Sequence, residues 1–217
     1  SDQPFVNYWM HNGHIRVNEE KMSKSLGNFF LIRDVLKNFD PEVLRFFMLR
    51  AHYRSPINYS DAQLEEARSG LVRLYTALAH VSVSDQSVDP HSPWAKRFAD
   101  AMNDDFNTPE AIAALFDLAS EVNRAQGEER MRLASVLKGL AGTLNFLQRD
   151  PTDFLQAGSR SDVVGLSTDA IEEQIAARVT AKQAKDFAAA DLIRKNLLEQ
   201  GVVLEDKPGG ITEWRKS

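Results

Sequence analysis

From Ser60 to Leu147 the chain repeats one grammar: a small polar cap, often followed by proline, then apolar residues at helical spacing. A period near 3.6 residues lays those apolar groups along one stripe of a helix, whereas in a strand they would scatter over both faces. "SDAQ" reads as a capping box, Ser60 facing Gln63. Leu64, Ala67, Leu71, Leu74, Tyr75 and Leu78 follow in phase. "SPWAKRFADAMND" places Ser92 as a cap and Pro93 at the first helical position, where its missing N–H costs nothing. "NTPEAIAALFDLASEVNRAQ" repeats the device with Thr108 and Pro109, and predicts a buried face of Ile112, Leu115, Phe116, Ala119 and Val122. After Gly127, Leu133, Leu137, Leu140, Ala141, Leu144 and Leu147 line up in the same way. Four amphipathic helices with short joins predict a helical bundle over 59–150. No catalytic constellation sits in it, and Asp104-Asp105 reads as a solvated loop beside a cap rather than a metal or acid/base site.

The flanks differ. Residues 4–10 are β-leaning (Phe5, Val6, Tyr8, Trp9), and Asn12-Gly13 before "HIRV" predicts a hairpin. Helix follows at "LIRDVLKNF" and again at Pro41, capped by Asp40, with Val43, Leu44, Phe47 and Met48 on one side. The run "QAGSRSDVVGLST" is a linker by composition, placed within 151–168. Beyond it, 169–217 predicts helices over 169–184 and 187–200, a stop at Gly201, and strands "VVLED" and "ITEW" around "KPGG", with Trp214 in the core. A unit of about fifty residues is small for a self-sufficient core. The fold class expected is mostly α, ending in a small mixed α/β domain.

At 217 residues the chain has room for two domains. It has no cysteine, hence no disulfide framework and no thiolate metal site. No apolar run approaches the roughly eighteen residues of a membrane span, and "SDQPFVNYW" is no signal peptide, so a cytoplasmic setting without membrane is expected. Net charge is −5, divided as +2 over 1–58, −9 over 59–177 and +2 over 178–217. Two basic ends around an acidic middle suit a chain whose ends meet a polyanion. The opening on Ser1, inside a β-leaning run, suggests a piece of something longer.

One stretch carries chemistry. "NEEKMSKSLGN" crowds Lys21, Ser23, Lys24 and Ser25 around one methionine just ahead of Gly27. Two cations with hydroxyls between them, too polar and short for a core, suit a phosphate; an exposed basic loop is the plain alternative.

"KMSKS" before "LGN" resembles the phosphate-binding loop of class I aminoacyl-tRNA synthetases, where it follows the last part of a nucleotide-binding fold. Four blocks narrow this: "NYWMHNGHI…KMSKSLGNFFLIRDVL", "DPEVLRFFMLRAHYRSPINYS", "NDDFNTPEA" and "AKDFAAADLIRKNLLEQGVVLED". In this order they resemble the C-terminal half of the bacterial cysteinyl-tRNA synthetase family, over nearly the whole chain. The resemblance implies four segments: 1–58 as the end of the catalytic domain with stem-contact helices, 59–150 as a bundle, 151–168 as a linker, and 169–217 as an anticodon-binding domain.

It also implies an enzyme, a ligase that activates cysteine with ATP and magnesium and transfers it to cysteine tRNA, as a monomer. Lys24 would be catalytic, closing on the phosphates as charge builds in the transition state. Lys21, Ser23 and Ser25 would complete the ATP site, and Gly27 would supply loop freedom. The family's His-x-Gly-His motif is missing; "HNGH" at 11–14 has the letters in the wrong place. The ligands of the family's zinc lie upstream, so no metal site is expected here, and the chain alone should not form adenylate.

For the anticodon, the resemblance points to Lys182, Phe187, Asp191 and Asp206, with Lys185 nearby. A ring stacks on a splayed base, cations meet phosphate, and carboxylates accept from N–H groups on a base edge. The family usually shows tryptophan where Phe187 stands and arginine where Lys182 stands, so the base-reading role of Lys182 is open. Phe187 read by itself, without the resemblance, is better taken as a helix-packing ring. Arg45, Arg50 and Arg54, with His52, would contact the tRNA stems. Two alternatives remain at this point: a tRNA-binding module without catalysis, and a cysteine ligase paralogue acting on an amino sugar, which would not need residues 169–217.

Overall fold

The computed structural model describes residues 5–23, 25, 28, 30–83, 88–157, 166–207 and 210–216. The chain divides into two compact units, Ser1–Pro151 and Thr152–Ser217. The predicted boundary between 58 and 59 separates no compact unit.

The first unit opens on a small sheet. β1 (Ile15–Val17) pairs antiparallel with β2 (Glu20–Lys21) and parallel with β3 (Ile57–Tyr59). The hairpin turns on Asn18 and Glu19, both in the left-handed region with φ of 49° and 68°, and not at Asn12-Gly13 as expected. Residues 5–14 form no strand, and Phe5, Tyr8 and Trp9 are exposed. Gly13 serves another purpose. A Cβ there would sit 2.0 Å from the Ser55 carbonyl oxygen, and its N–H donates to Tyr53 O at 2.7 Å. Only glycine permits that approach.

Between β1 and β3 run the short α1 (Ile32–Val35) and α2 (Pro41–Leu49). Asp40 caps α2, its carboxylate accepting from the Glu42 N–H. The face that α2 buries is Glu42, Val43, Phe46 and Phe47; the expected Met48 is exposed and Leu44 only half-buried. Phe46 meets Phe146 and Phe116 with ring centroids 5.1 and 6.3 Å apart.

The bundle is α3 (Asp61–Leu78), α4 (Pro93–Asn103), α5 (Thr108–Arg124) and α6 (Gly127–Thr143). Ser60 accepts from the Gln63 N–H and Ser92 from the Ala95 N–H, as their cap positions require. At α5 the cap is Asn107, accepting from the Glu110 N–H; Thr108 is the first helical residue and is buried. The apolar faces read from the sequence are buried, except that Phe116 is half-buried under the Arg73 guanidinium, 4.7 Å from its ring centroid. α3 packs on α2 and α5, and α5 on α4 and α6. One buried carboxylate ties these parts together. Glu42 accepts from the Tyr75 hydroxyl at 2.8 Å and from the Leu147 N–H at 2.7 Å.

The second unit begins near α7 (Pro151–Ala157), so the expected linker over 151–168 opens as helix; residues 158–165 lie outside the described residues. α8 (Thr168–Gln183), α9 (Phe187–Glu199) and the antiparallel pair β4 (Val202–Asp206) and β5 (Thr212–Lys216) follow. Their core is Ile171, Ile175, Leu197, Val202, Leu204 and Trp214, with Leu166 and Ile193 against it. Trp214 is a core residue as predicted, its indole N–H donating to Glu172 Oε1 at 2.6 Å.

Candidate phosphate and nucleic-acid sites

The lysine loop leaves the sheet directly. Lys21 ends β2 and is exposed. Asn28 closes the loop on itself: its Oδ1 accepts from the Ser23 N–H at 2.8 Å, and its Nδ2 donates to Lys21 O at 3.2 Å. Ser23 and Ser25 bring their hydroxyls within 3.2 Å of one another. One amide side chain thus ties the backbone of Lys21 and Ser23, at the start of the lysine-rich run, to the residue that follows Gly27. Lys24 and Gly27 lie outside the described residues. Phe30 stacks obliquely on Tyr59, at 5.3 Å, anchoring the loop's far end to β3.

The segment 45–54 is more committed than expected. Arg54 Nε donates to Asp105 Oδ2 at 2.6 Å, and the Tyr53 hydroxyl to Oδ1 at 2.7 Å. His52 Nε2 lies 3.0 Å from Asp105 O. The Arg54 and Tyr53 hydrogen bonds hold the Asp105 carboxyl down at about 2. Asp105 and Phe106 take left-handed backbone, φ 52° and 53°, in the turn between α4 and α5. Asp104-Asp105, read as a solvated pair, is therefore half a clamp. Arg50 lies 3.6 Å from Glu66, and Arg45 is exposed on α2 with no ion-pair partner among the described residues.

In the second unit, the four expected residues stand on the last turn of α8, the start of α9 and the end of β4. Phe187 is 63 % exposed, and Asp191, one turn on, is exposed beside it. Asp186 caps α9, accepting from the Ala189 N–H at 3.0 Å, after Lys185 turns the chain with φ 61°. Lys182 and Asp206 are paired, Nζ to Oδ2 at 3.0 Å. Asp206 is not a bare acceptor. Arg178 grips it with two parallel bonds, Nη1 to Oδ1 and Nη2 to Oδ2, both 2.8 Å, and the Thr212 hydroxyl donates to Oδ1 at 2.9 Å. The Arg178 bonds hold its carboxyl well below the usual carboxylate range against the opposing effect of burial, and Lys182 and Thr212 add to the shift. Arg178 itself was missed: a lone arginine between Ala177 and Val179 gives no signal.

A family model described as the tRNA synthetases class I (C) catalytic domain matches residues 1–69, and the DALR domain matches residues 97–152. The cysteine–tRNA ligase of Polynucleobacter asymbioticus is 81 % identical over 218 residues, which is all of this chain and 46 % of that protein. That of Polynucleobacter necessarius is 77 % identical and that of Cupriavidus necator 61 %, each over 217 residues and 46 % of the relative. Over its whole length the chain is similar to part of the cysteine–tRNA ligases. It spans about half the length of the curated relatives it matches.

The resemblance read from four motif blocks is thereby confirmed, as is the mostly helical fold. Within the cysteine–tRNA ligase framework, the catalytic-domain match contains the stapled lysine loop and runs into α3, and the DALR match covers most of α4 together with α5 and α6. The described residues hold no group of three or more His, Cys, Asp or Glu that could bind a metal ion. No helix among the described residues is long and apolar enough to cross a membrane.

Proposed function

We propose that this chain supplies two parts of a cysteine–tRNA ligase: the loop that closes on the ATP phosphates, and the surface that holds and reads cysteine tRNA. The observation that carries the reading is the convergence in the second unit. A cation (Lys182) is paired with an anchored carboxylate (Asp206) 24 residues away, Asp191 reaches the Arg178 that grips Asp206, and one turn before Asp191 on the same helix stands the exposed ring of Phe187. That set suits one unstacked base with its phosphate.

In the first unit, Lys24 and Lys21 would meet the triphosphate, with Ser23 and Ser25 as hydroxyl donors. In-line attack of the cysteine carboxylate at the α-phosphate builds charge on the phosphate oxygens, and an ammonium closing on them at that moment lowers the barrier more than it tightens ATP binding. Magnesium would travel with ATP as part of the substrate. Arg45 is the stem-contact candidate with a guanidinium uncommitted to an ion pair among the described residues; Arg54 and Arg50 serve the protein first.

The test is a titration of the chain with a transcript of cysteine tRNA and one altered only at the first anticodon base, at two salt concentrations. A loss of about tenfold or more, roughly 1.4 kcal/mol, for the altered transcript supports base reading. Equal binding with a steep salt slope means phosphate contact alone and sinks it.

A further inference from the structure

Asp206 can accept about four hydrogen bonds, and in this structure all four places are taken. Oδ1 receives Arg178 Nη1 at 2.8 Å and the Thr212 hydroxyl at 2.9 Å; Oδ2 receives Arg178 Nη2 at 2.8 Å and Lys182 Nζ at 3.0 Å. A base N–H can bond this carboxylate only by displacing one of them. The four donors are not equally replaceable. The Arg178 side chain is 3 % exposed and that of Lys182 is 39 % exposed. Thr212 faces Asp206 in the β4–β5 register, so the strand pairing holds it there. Lys182 sits in the last turn of α8 on a flexible stem, and water can take its place.

Arg178 is also an odd choice for stability. Its Nε is buried with no hydrogen-bond acceptor among the described residues, so the fork on Asp206 carries the burden of a desolvated charge. An apolar side chain of similar volume at a buried position is often neutral or better for stability. What an apolar side chain cannot do is fix the plane of a carboxylate. The fork does so, and it neutralises one of two acids on this face, since Asp191 reaches the same guanidinium electrostatically.

We propose that Arg178 is the positioning residue of this face: its fork holds the Asp206 carboxylate fixed, so that the lone pair now bonded to Lys182 becomes the single slot an incoming base N–H can take. Lys182 is then a placeholder that leaves Asp206 for a phosphate when RNA arrives. This rests on the reading of the second unit as a base-reading surface. It goes beyond that reading in assigning a role to Arg178 and an exchange to Lys182.

The experiment uses the whole chain and the same two transcripts, with wild type, Arg178→Lys and Lys182→Met. Lysine keeps the charge of Arg178 and loses its planar fork. With wild type discriminating about tenfold, Arg178→Lys should fall to about threefold or less at an unchanged salt slope, because a carboxylate free to rotate no longer selects one donor. Lys182→Met should bind both transcripts more weakly with a shallower salt slope, by about one phosphate contact, and keep the discrimination ratio. If wild type itself binds both transcripts alike, the base-reading surface falls and this inference with it. Discrimination retained in full by Arg178→Lys overturns the inference alone, and discrimination lost in Lys182→Met overturns the exchange. Should Arg178→Lys fail to fold, Thr212→Val removes one neutral donor from Oδ1, and discrimination should drop about twofold by the loss of one orienting bond. An unchanged ratio in that variant also overturns the proposal.

Discussion

Each unit of this protein is organised around a carboxylate that accepts several hydrogen bonds, and the two carboxylates do opposite things. Glu42, in the first unit, is 8 % exposed and takes neutral donors, the Tyr75 hydroxyl and the Leu147 N–H. Burial pushes its carboxyl up, and the hydrogen bonds from Leu147 and Tyr75 offset only part of that. Asp206, in the second unit, is 40 % exposed and takes two cationic donors besides a hydroxyl, and its carboxyl is held far down. A dry carboxylate with neutral donors serves packing: it fixes α2, α3 and the chain after α6 in one arrangement. A half-wet carboxylate with cationic donors keeps a charge at the surface in a fixed direction.

The comparison breaks most visibly at Glu42. Glu42→Leu should cost about 3 kcal/mol, because the Leu147 N–H and the Tyr75 hydroxyl lose this acceptor inside the core. Hydrogen exchange of the α3 amides reads it, and a change below about 1 kcal/mol would mean the network is incidental. Next in size is binding at the other end. Phe187→Ala should weaken the cysteine tRNA transcript about tenfold, within the 1–3 kcal/mol of a lost base stack, while leaving stability unchanged, since the ring is 63 % exposed. Destabilisation without weaker binding would make Phe187 a packing ring after all. Smaller still is the stability cost of Arg178→Met, expected within about 1 kcal/mol, because Asp206 keeps Lys182 and Thr212 and water replaces the rest. A loss as large as that of Glu42→Leu, read from β4 and β5 amides, would erase the distinction drawn between the two carboxylates.

The same contrast explains what could be read from the sequence. The helices of the bundle were legible because their apolar residues recur in register and their caps are local: Ser60 and Ser92 each bond the third residue ahead. Legibility failed wherever a polar group went inside or a glycine served a distant strand. On α2 the buried stripe includes Glu42, so reading it as apolar put Met48 inside and left Phe46 out. Gly13 looked like a hairpin turn, but what it accommodates is Ser55, some forty residues away, and the turn fell on Asn18-Glu19 with no glycine. Asn107 rather than Thr108 caps α5, since proline is tolerated at the second helical position as well as the first. Of the candidate site, the residues proposed to meet the anticodon came from family resemblance. Arg178 and Asn28 act only through partners, and the fold alone brings Arg178 to Asp206.

Acid separates the two units most gently of all. A carboxyl held low in the folded state contributes stability above its unfolded value of about 3.9 and loses it as pH falls toward the folded value. Asp206 therefore weakens the second unit as pH drops below about 4. Glu42 has the reverse sign. Its raised carboxyl opposes folding once ionised, so protonation on acidification relieves the first unit while its hydroxyl and amide donors still find an oxygen. Asp105, held at about 2 by Arg54 and Tyr53, acts in the same direction as Asp206, but it is exposed and salt screens it. The expected order on acidification at moderate salt is loss of protection first at the amides of α8, β4 and β5, then at those of α2 and α3. Hydrogen exchange stepped from pH 6 to about 3 follows both sets at once. Simultaneous loss would show that the small core of the second unit, not the charge state of Asp206, sets its limit. Asp206→Asn would then leave the acid response of β4 unchanged, whereas if the charge of Asp206 sets that limit the substitution flattens it.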